Sequence, residues 1–172
     1  HKWFTRLVVS QILVAAIDRI PVGLATLLFF VYSATVGVTF ALIFELYTTQ
    51  SIFTAFLITA GMFGALAVWG AVTDIDLSRV GSIAFMALIG LILATIVNIF
   101  WAHDTLYWIT TYAGVAIFAA LTAYDMQKLG QINKQGLTGE AEGRAAIMGA
   151  LTLYLDFLNL FLLLLRIFGQ QR

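Results

Sequence analysis

The sequence predicts an all-α fold, a polytopic bundle of membrane-spanning helices, on three observations. First, 62% of the 172 residues are hydrophobic and only 10% are charged, whereas soluble domains run near half apolar and about a quarter charged. Second, the mean hydropathy is +0.98. Third, the apolar residues fall in runs of roughly 20, the length that crosses ~30 Å of hydrocarbon at ~1.5 Å per residue. One proline and 14 glycines suit helices that pack closely in lipid.

Six such segments are expected, near 3–17, 22–44, 51–73, 80–102, 105–127 and 147–168, in one transmembrane domain spanning 1–172. The first is the least apolar, interrupted by Arg6 and Gln11 and ended by Asp18-Arg19-Ile20-Pro21. Pro21 stands where a helix start tolerates proline. The second is apolar apart from Thr26, Ser33, Thr35 and Thr39, whose hydroxyls can bond back to helix carbonyls. The third carries Gly61, Gly64 and Gly70 among bulky side chains, and the fourth has Asn98 as its strongly polar residue. Short connectors are expected elsewhere, with one real polar loop at 130–144. No soluble domain and no internal repeat is visible.

Lys and Arg placement predicts orientation. Arg19, Arg79, Lys128, Lys134 and Arg144 follow the first, third and fifth segments, while the connectors after the second and fourth hold neither residue type. The first set should face the cytoplasm, although Lys2, Arg6, Arg166 and Arg172 lie on the opposite side by this rule. The formal net charge is zero, so no basic stripe points to nucleic acid. Without cysteine there is no disulfide, thiolate metal site or cysteine nucleophile. The chain opens on His1-Lys2-Trp3 with no initiator Met and no cleavable signal peptide, so a preceding segment is expected.

Ionisable groups in hydrocarbon are costly, which directs attention to two of them. Asp125 lies in Leu121-Thr-Ala-Tyr-Asp-Met-Gln-Lys128, about a turn before the fifth segment ends. Asp156 lies in Leu151-Thr-Leu-Tyr-Leu-Asp-Phe-Leu-Asn159, early in the sixth. One helix descends and the next ascends, so the two carboxyls should reach the same depth, about 6–8 Å inside the cytoplasmic boundary. There they can meet. Low dielectric and mutual repulsion then require a shared proton. Such a pair is a pH-operated switch: protonated, it closes on itself; deprotonated, it repels or accepts a cation. A carboxylate pair is hard and oxygen-rich and favours Ca²⁺ if other oxygens complete the shell. Asn159, three residues beyond Asp156 on the same face, is a candidate contributor.

Plainer readings stand beside these. Asp125 could pair with Lys128 at i,i+3 or reach the interface, and Asp156 could serve a structural hydrogen bond. Arg166 should snorkel to the outer interface, and Tyr124 and Tyr154 should pack. Asp76 before Ser78 and Arg79 reads as a helix-start cap. Glu45 and Asp104 read as loop charges, and His103, alone in its loop, as no metal ligand.

These residues also carry a resemblance. The ending Gly149-Ala-Leu-Thr-Leu-Tyr-Leu-Asp-Phe-Leu-Asn-Leu-Phe-Leu-Leu-Leu-Leu-Arg-Ile-Phe-Gly169 and the stretch Leu121-Thr-Ala-Tyr-Asp-Met-Gln-Lys-Leu129 resemble the transmembrane Bax inhibitor motif family in its bacterial branch. Phe30-Val-Tyr-Ser-Ala34, Thr59-Ala-Gly-Met-Phe-Gly-Ala65 and Phe85-Met-Ala-Leu-Ile-Gly90 fit the same pattern. The resemblance implies a seven-helix fold, here lacking its first helix, with the last helix central. It implies a bacterial inner-membrane location and a pH-sensitive Ca²⁺ leak whose paired aspartates match Asp125 and Asp156. It also implies a basic latch near the cytoplasmic end of the family's second helix, for which Arg19 is the nearest match.

Three functions are weighed. The leading one is a Ca²⁺ leak, with Ca²⁺ and H⁺ as its ions and the bilayer as its setting, gated by protonation of the aspartate pair. No resident cofactor and no enzyme activity are expected. The alternative is a non-transporting interaction protein in membrane protein quality control, acting through a membrane-bound protease. An intramembrane aspartyl protease is disfavoured: Tyr124-Asp125 resembles half of that signature, but Leu153-Tyr-Leu-Asp156 lacks the glycines of the other half.

Overall fold

The computed structural model describes residues 21–169, in which every regular element is a helix. These are α1 (Val22–Leu46), α2 (Thr49–Val72), α3 (Ser78–Trp101), α4 (Asp104–Asn133) and α5 (Gly139–Phe168). All five are long and apolar enough to cross a membrane. They answer to five of the six expected segments. The first segment, 3–17, and the candidate latch Arg19 lie outside the described residues.

The ends of α1, α2 and α3 fall within two residues of the expected bounds, but α4 and α5 need correction. The expected polar loop at 130–144 is mostly helix: α4 runs on to Asn133 and α5 begins at Gly139. Hydropathy alone ends a helix where polar residues begin, yet polar residues extend a helix readily once it leaves the hydrocarbon. Glu140 and Glu142 occupy the first turn of α5, where carboxylates complement the helix dipole. Arg144 returns to Glu140 one turn away at 3.5 Å. The remaining connector turns tightly through Gly136 and Gly139, at φ +68° and +65°, backbone angles that favour glycine.

Local chemistry sets the other boundaries. Thr48 accepts the Ser51 N–H at 3.2 Å and caps α2. At the end of α3 the Ala102 N–H closes on the Asn98 carbonyl at 2.7 Å, and the Asn98 side chain accepts the His103 N–H at 2.9 Å. The polar residue of the fourth segment is therefore a cap. Asp104 and Glu45 are helical, at the first turn of α4 and the last turn of α1. Thr26, Thr35 and Thr39 bond back to carbonyls one turn earlier, as expected, but the buried Ser33 hydroxyl has no partner.

Packing is uneven, as a lipid setting requires. On α1 only Ala25 and Val36 are buried, while Leu27, Phe30, Val31 and Val38 are exposed. Such faces suit acyl chains. On α5, by contrast, Leu151, Leu155, Asp156, Asn159, Leu160, Phe161, Leu163, Leu164 and Leu165 are all buried. It packs on α4, α2 and α1, while α3 packs on α4. The main apolar cluster joins Leu88 and Leu91 of α3, Phe118 and Leu121 of α4, and Leu160, Leu163 and Leu164 of α5. A second joins Ala55 of α2 to Phe161 and Leu165, with Phe40 stacked on Phe161 at 5.8 Å between ring centroids. Two glycines set helix spacing. A Cβ on Gly70 would strike the Ala123 backbone across the α2–α4 contact, and one on Gly81 would sit 2.5 Å from the Tyr124 ring across α3–α4.

Candidate functional site

A cleft of about 560 Å³ opens where the main apolar cluster stops. Its walls are the first turns of α3 (Gly81 to Leu88), the second half of α4 (Phe118 to Lys128) and α5 from Met148 to Asn159. The antiparallel pairing of α4 and α5 explains what faces it. Leu129 packs on Gly149, and from that contact the facing surfaces carry Asp125 about one turn along α4 and Asp156 about two turns along α5. The two carboxyls lie within hydrogen-bonding reach of each other.

Their surroundings differ. Asp156 is 5% exposed, and its Oδ2 is buried with no hydrogen-bond partner. Asp125 is partly buried, nearer the rim, where the Lys128 charge acts on it. Ionised carboxylates only accept hydrogen bonds, so contact between the two becomes a bond only when one carries a proton. The aspartates singled out from sequence are thus brought together, and the anticipated Asp125–Lys128 ion pair is not formed.

Asn159 lines the same cleft. Its Nδ2 donates to the Leu155 carbonyl at 2.8 Å, which leaves Oδ1 as the acceptor of that amide. Lys128 is exposed at the rim. Among the described residues no three His, Asp or Glu side chains cluster as metal ligands; a cation here would meet two carboxyls, an amide oxygen and water. Tyr124 lines the cleft, and Tyr154 packs edge-on to Phe29 at 6.0 Å instead.

Other features emerge only in three dimensions. Gln127, two residues beyond Asp125, ties α4 to the α2–α3 connector: its Oε1 accepts the Leu77 N–H at 2.9 Å and its Nε2 donates to the Ile75 carbonyl at 2.7 Å. Nearby, Asp76 accepts the Ser78 N–H at 3.0 Å in a turn just ahead of α3; the capping position itself is Leu77, so Asp76 is not the cap anticipated for that helix. That bond and the Ser78 hydroxyl hold the Asp76 carboxyl below the usual carboxylate range. At the other end of the bundle the Arg166 guanidinium lies 5.1 Å over the Tyr107 ring, a cation–π contact.

Apolar spans, lipid-facing side chains and an acid pair sunk between helices define a polytopic membrane protein with an ionisable interior site. The family described as inhibitor of apoptosis-promoting Bax1 matches residues 3–172. The chain belongs to this Bax inhibitor family, as its ending and its two aspartate segments had suggested. It is similar to the inner membrane protein YbhL of Escherichia coli (strain K12), 49% identical over 163 residues that cover 94% of this chain and 70% of the relative. An uncharacterized protein of Borreliella burgdorferi is 45% identical over 91% of this chain and 68% of its own length. One of Deinococcus radiodurans is 42% identical over 90% and 67% respectively. With five helices fit to span a bilayer, the chain is a polytopic bacterial inner-membrane protein.

Proposed function

We propose that this protein is a pH-sensitive Ca²⁺ leak, with Asp125 and Asp156 as its proton-operated gate. The observation that carries the proposal is the contact between the two carboxyls, one of them 5% exposed with an unpartnered oxygen, in the wall of a cleft. Held by one proton, the pair joins α4 to α5 and closes the bundle. Loss of that proton leaves two negative charges in contact in a region of low dielectric, which drives the helices apart or admits a cation. Ca²⁺ suits the vacated geometry because it takes six to eight oxygens with little demand on their arrangement. Two carboxylates and the Asn159 Oδ1 would supply part of that shell and water the rest. Lys128 at the rim competes with the cation for Asp125 and limits how strongly it is held.

The Lys- and Arg-bearing end of the bundle, with Arg79, Lys128, Lys134 and Arg144, faces the cytoplasm in this scheme. The gate therefore reads cytoplasmic pH. The test is Ca²⁺ entry into proteoliposomes across a series from acid to mildly alkaline pH, for the parent and for Asp156→Asn. Flux in the parent rises as the pair loses its proton and is flat and low in the variant. A variant whose profile matches the parent removes the proposal.

A further inference from the structure

We propose that the cleft between α3, α4 and α5 is a binding site for small hydrophobic ammonium cations, with the nitrogen on Asp125 and Asp156 and the apolar body against Phe85, Met86 and Phe118. The site uses the same acid pair as the proposed leak, but it requires only that the pair be reached from the cleft, not that ions pass. Size is the first reason. At ~30 Å³ per water, a Ca²⁺ ion with about seven oxygen ligands fills roughly 200 Å³. The cleft holds about 560 Å³, within the ~300–1,000 Å³ range of small-molecule pockets. More than half of it is therefore surplus to an ion.

The lining is the second reason. Seven of the fifteen residues that wall the cleft are phenylalanine, methionine or leucine, which water solvates poorly and an apolar body fills well. The third reason is the hydrogen-bonding character of the acid pair and its neighbour. The Asp156 Oδ2 has no partner, the Asp125 carboxyl is another acceptor, and the Asn159 Nδ2 is committed to the Leu155 carbonyl, so its Oδ1 is a third. These oxygens can accept an ammonium's N–H donors, and the ammonium takes the place of the proton the pair shares. A primary ammonium carries three N–H donors and a charge opposite to the carboxylates.

The ionisable groups facing the site also set its affinity. From α4 they are Tyr124, Asp125 and Lys128, from α5 Asp156, while α3 contributes Ser82 and no ionisable side chain. Lys128, one turn beyond Asp125 and away from Phe118, already sets a positive charge beside the nitrogen's end of the site. It therefore competes with the amine for Asp125.

The test is calorimetric titration of phenethylammonium into the protein in nanodiscs of phosphatidylcholine, which carries no primary amine. Phenethyl alcohol serves as the uncharged control. The amine binds saturably at one per chain and at least about tenfold more tightly than the alcohol, the discrimination expected of a charged hydrogen bond. Asp156→Asn weakens the amine at least tenfold. Ser82→Phe, at an exposed position that disturbs no buried contact, fills the mouth and weakens it as well. Equal binding of amine and alcohol, or amine binding indifferent to both substitutions, overturns the proposal. Discs containing phosphatidylethanolamine leave the affinity unchanged; tenfold weakening there would give the site to the lipid ammonium and overturn the assignment to a small amine. Amine binding in a protein without Ca²⁺ flux would sink the leak and leave this site standing, and flux without amine binding would do the reverse.

Discussion

If the two aspartates act as one gate, replacing either must cost nearly as much as replacing both. Asp125→Asn and Asp156→Asn each exchange a carboxyl for an amide of the same shape, which donates to the remaining acid at every pH. Two carboxylates at hydrogen-bonding contact, taken at roughly 4 Å with an effective dielectric of about 20, repel by on the order of 4 kcal/mol. At about 1.4 kcal/mol per tenfold change, that repulsion shifts the open-to-closed ratio by between two and three decades. A single Asn substitution removes all of it, so the second has nothing left to remove. The assay is the ratio of Ca²⁺ flux at the alkaline end to that at the acid end, for the parent, both single variants and the double. Each single variant loses most of the parent's ratio, and the double variant matches them, giving a coupling close to the full single effect. Independent, additive losses would refute a shared gate, because they require each acid to act on its own.

Other expectations concern how the bundle holds the site. Gly70→Ala drives a Cβ into the Ala123 backbone, which cannot swing aside, and costs about 1–3 kcal/mol; Gly90→Ala, where no atom lies within 4 Å, leaves stability unchanged or raises it by up to ~1 kcal/mol. Thermal unfolding in detergent ranks the two, and equal losses would contradict the close approach of α2 and α4. Gln127→Ala removes both bonds to the α2–α3 connector, costing on the order of 1–2 kcal/mol. Its signature is faster amide exchange at Leu77, and unchanged exchange there would dismiss the tie. Asp76 contributes through its charged form, since its carboxyl is held below the usual range. Its stabilisation is thus present above the ordinary carboxylate value and is lost as pH falls through its own lowered value. Asp76→Ala should lower the midpoint of thermal unfolding at neutral pH and match the parent in strong acid; a gap independent of pH would argue against a charged Asp76–Ser78 bond.

Much of this was legible in the chain because lipid imposes a simple ruler. Five apolar runs match five helices, and α1 starts after Pro21 as the chain suggests, whereas the roles of Thr48 at the start of α2 and Asn98 at the end of α3 show only in the structure. The ends of α4 and α5 were not legible, since a helix leaving the hydrocarbon keeps its backbone bonds while its side chains turn polar. Asp125 and Asp156 stood out because each interrupts an apolar run on consecutive antiparallel helices, a pattern that fixes their meeting. The cleft beside them was not visible: it depends on where three helices stop touching. Nor was the tie from Gln127, whose partners lie 50 and 52 residues away in a connector.

A hydrogen held jointly by the two carboxyls leaves a direct signature in infrared difference spectra, the carbonyl stretch of a buried protonated acid. A single such band that titrates in the parent, shifts on deuteration and changes alike in Asp125→Asn and Asp156→Asn is the result predicted. Two bands that titrate separately, each abolished by its own substitution and untouched by the other, would contradict it.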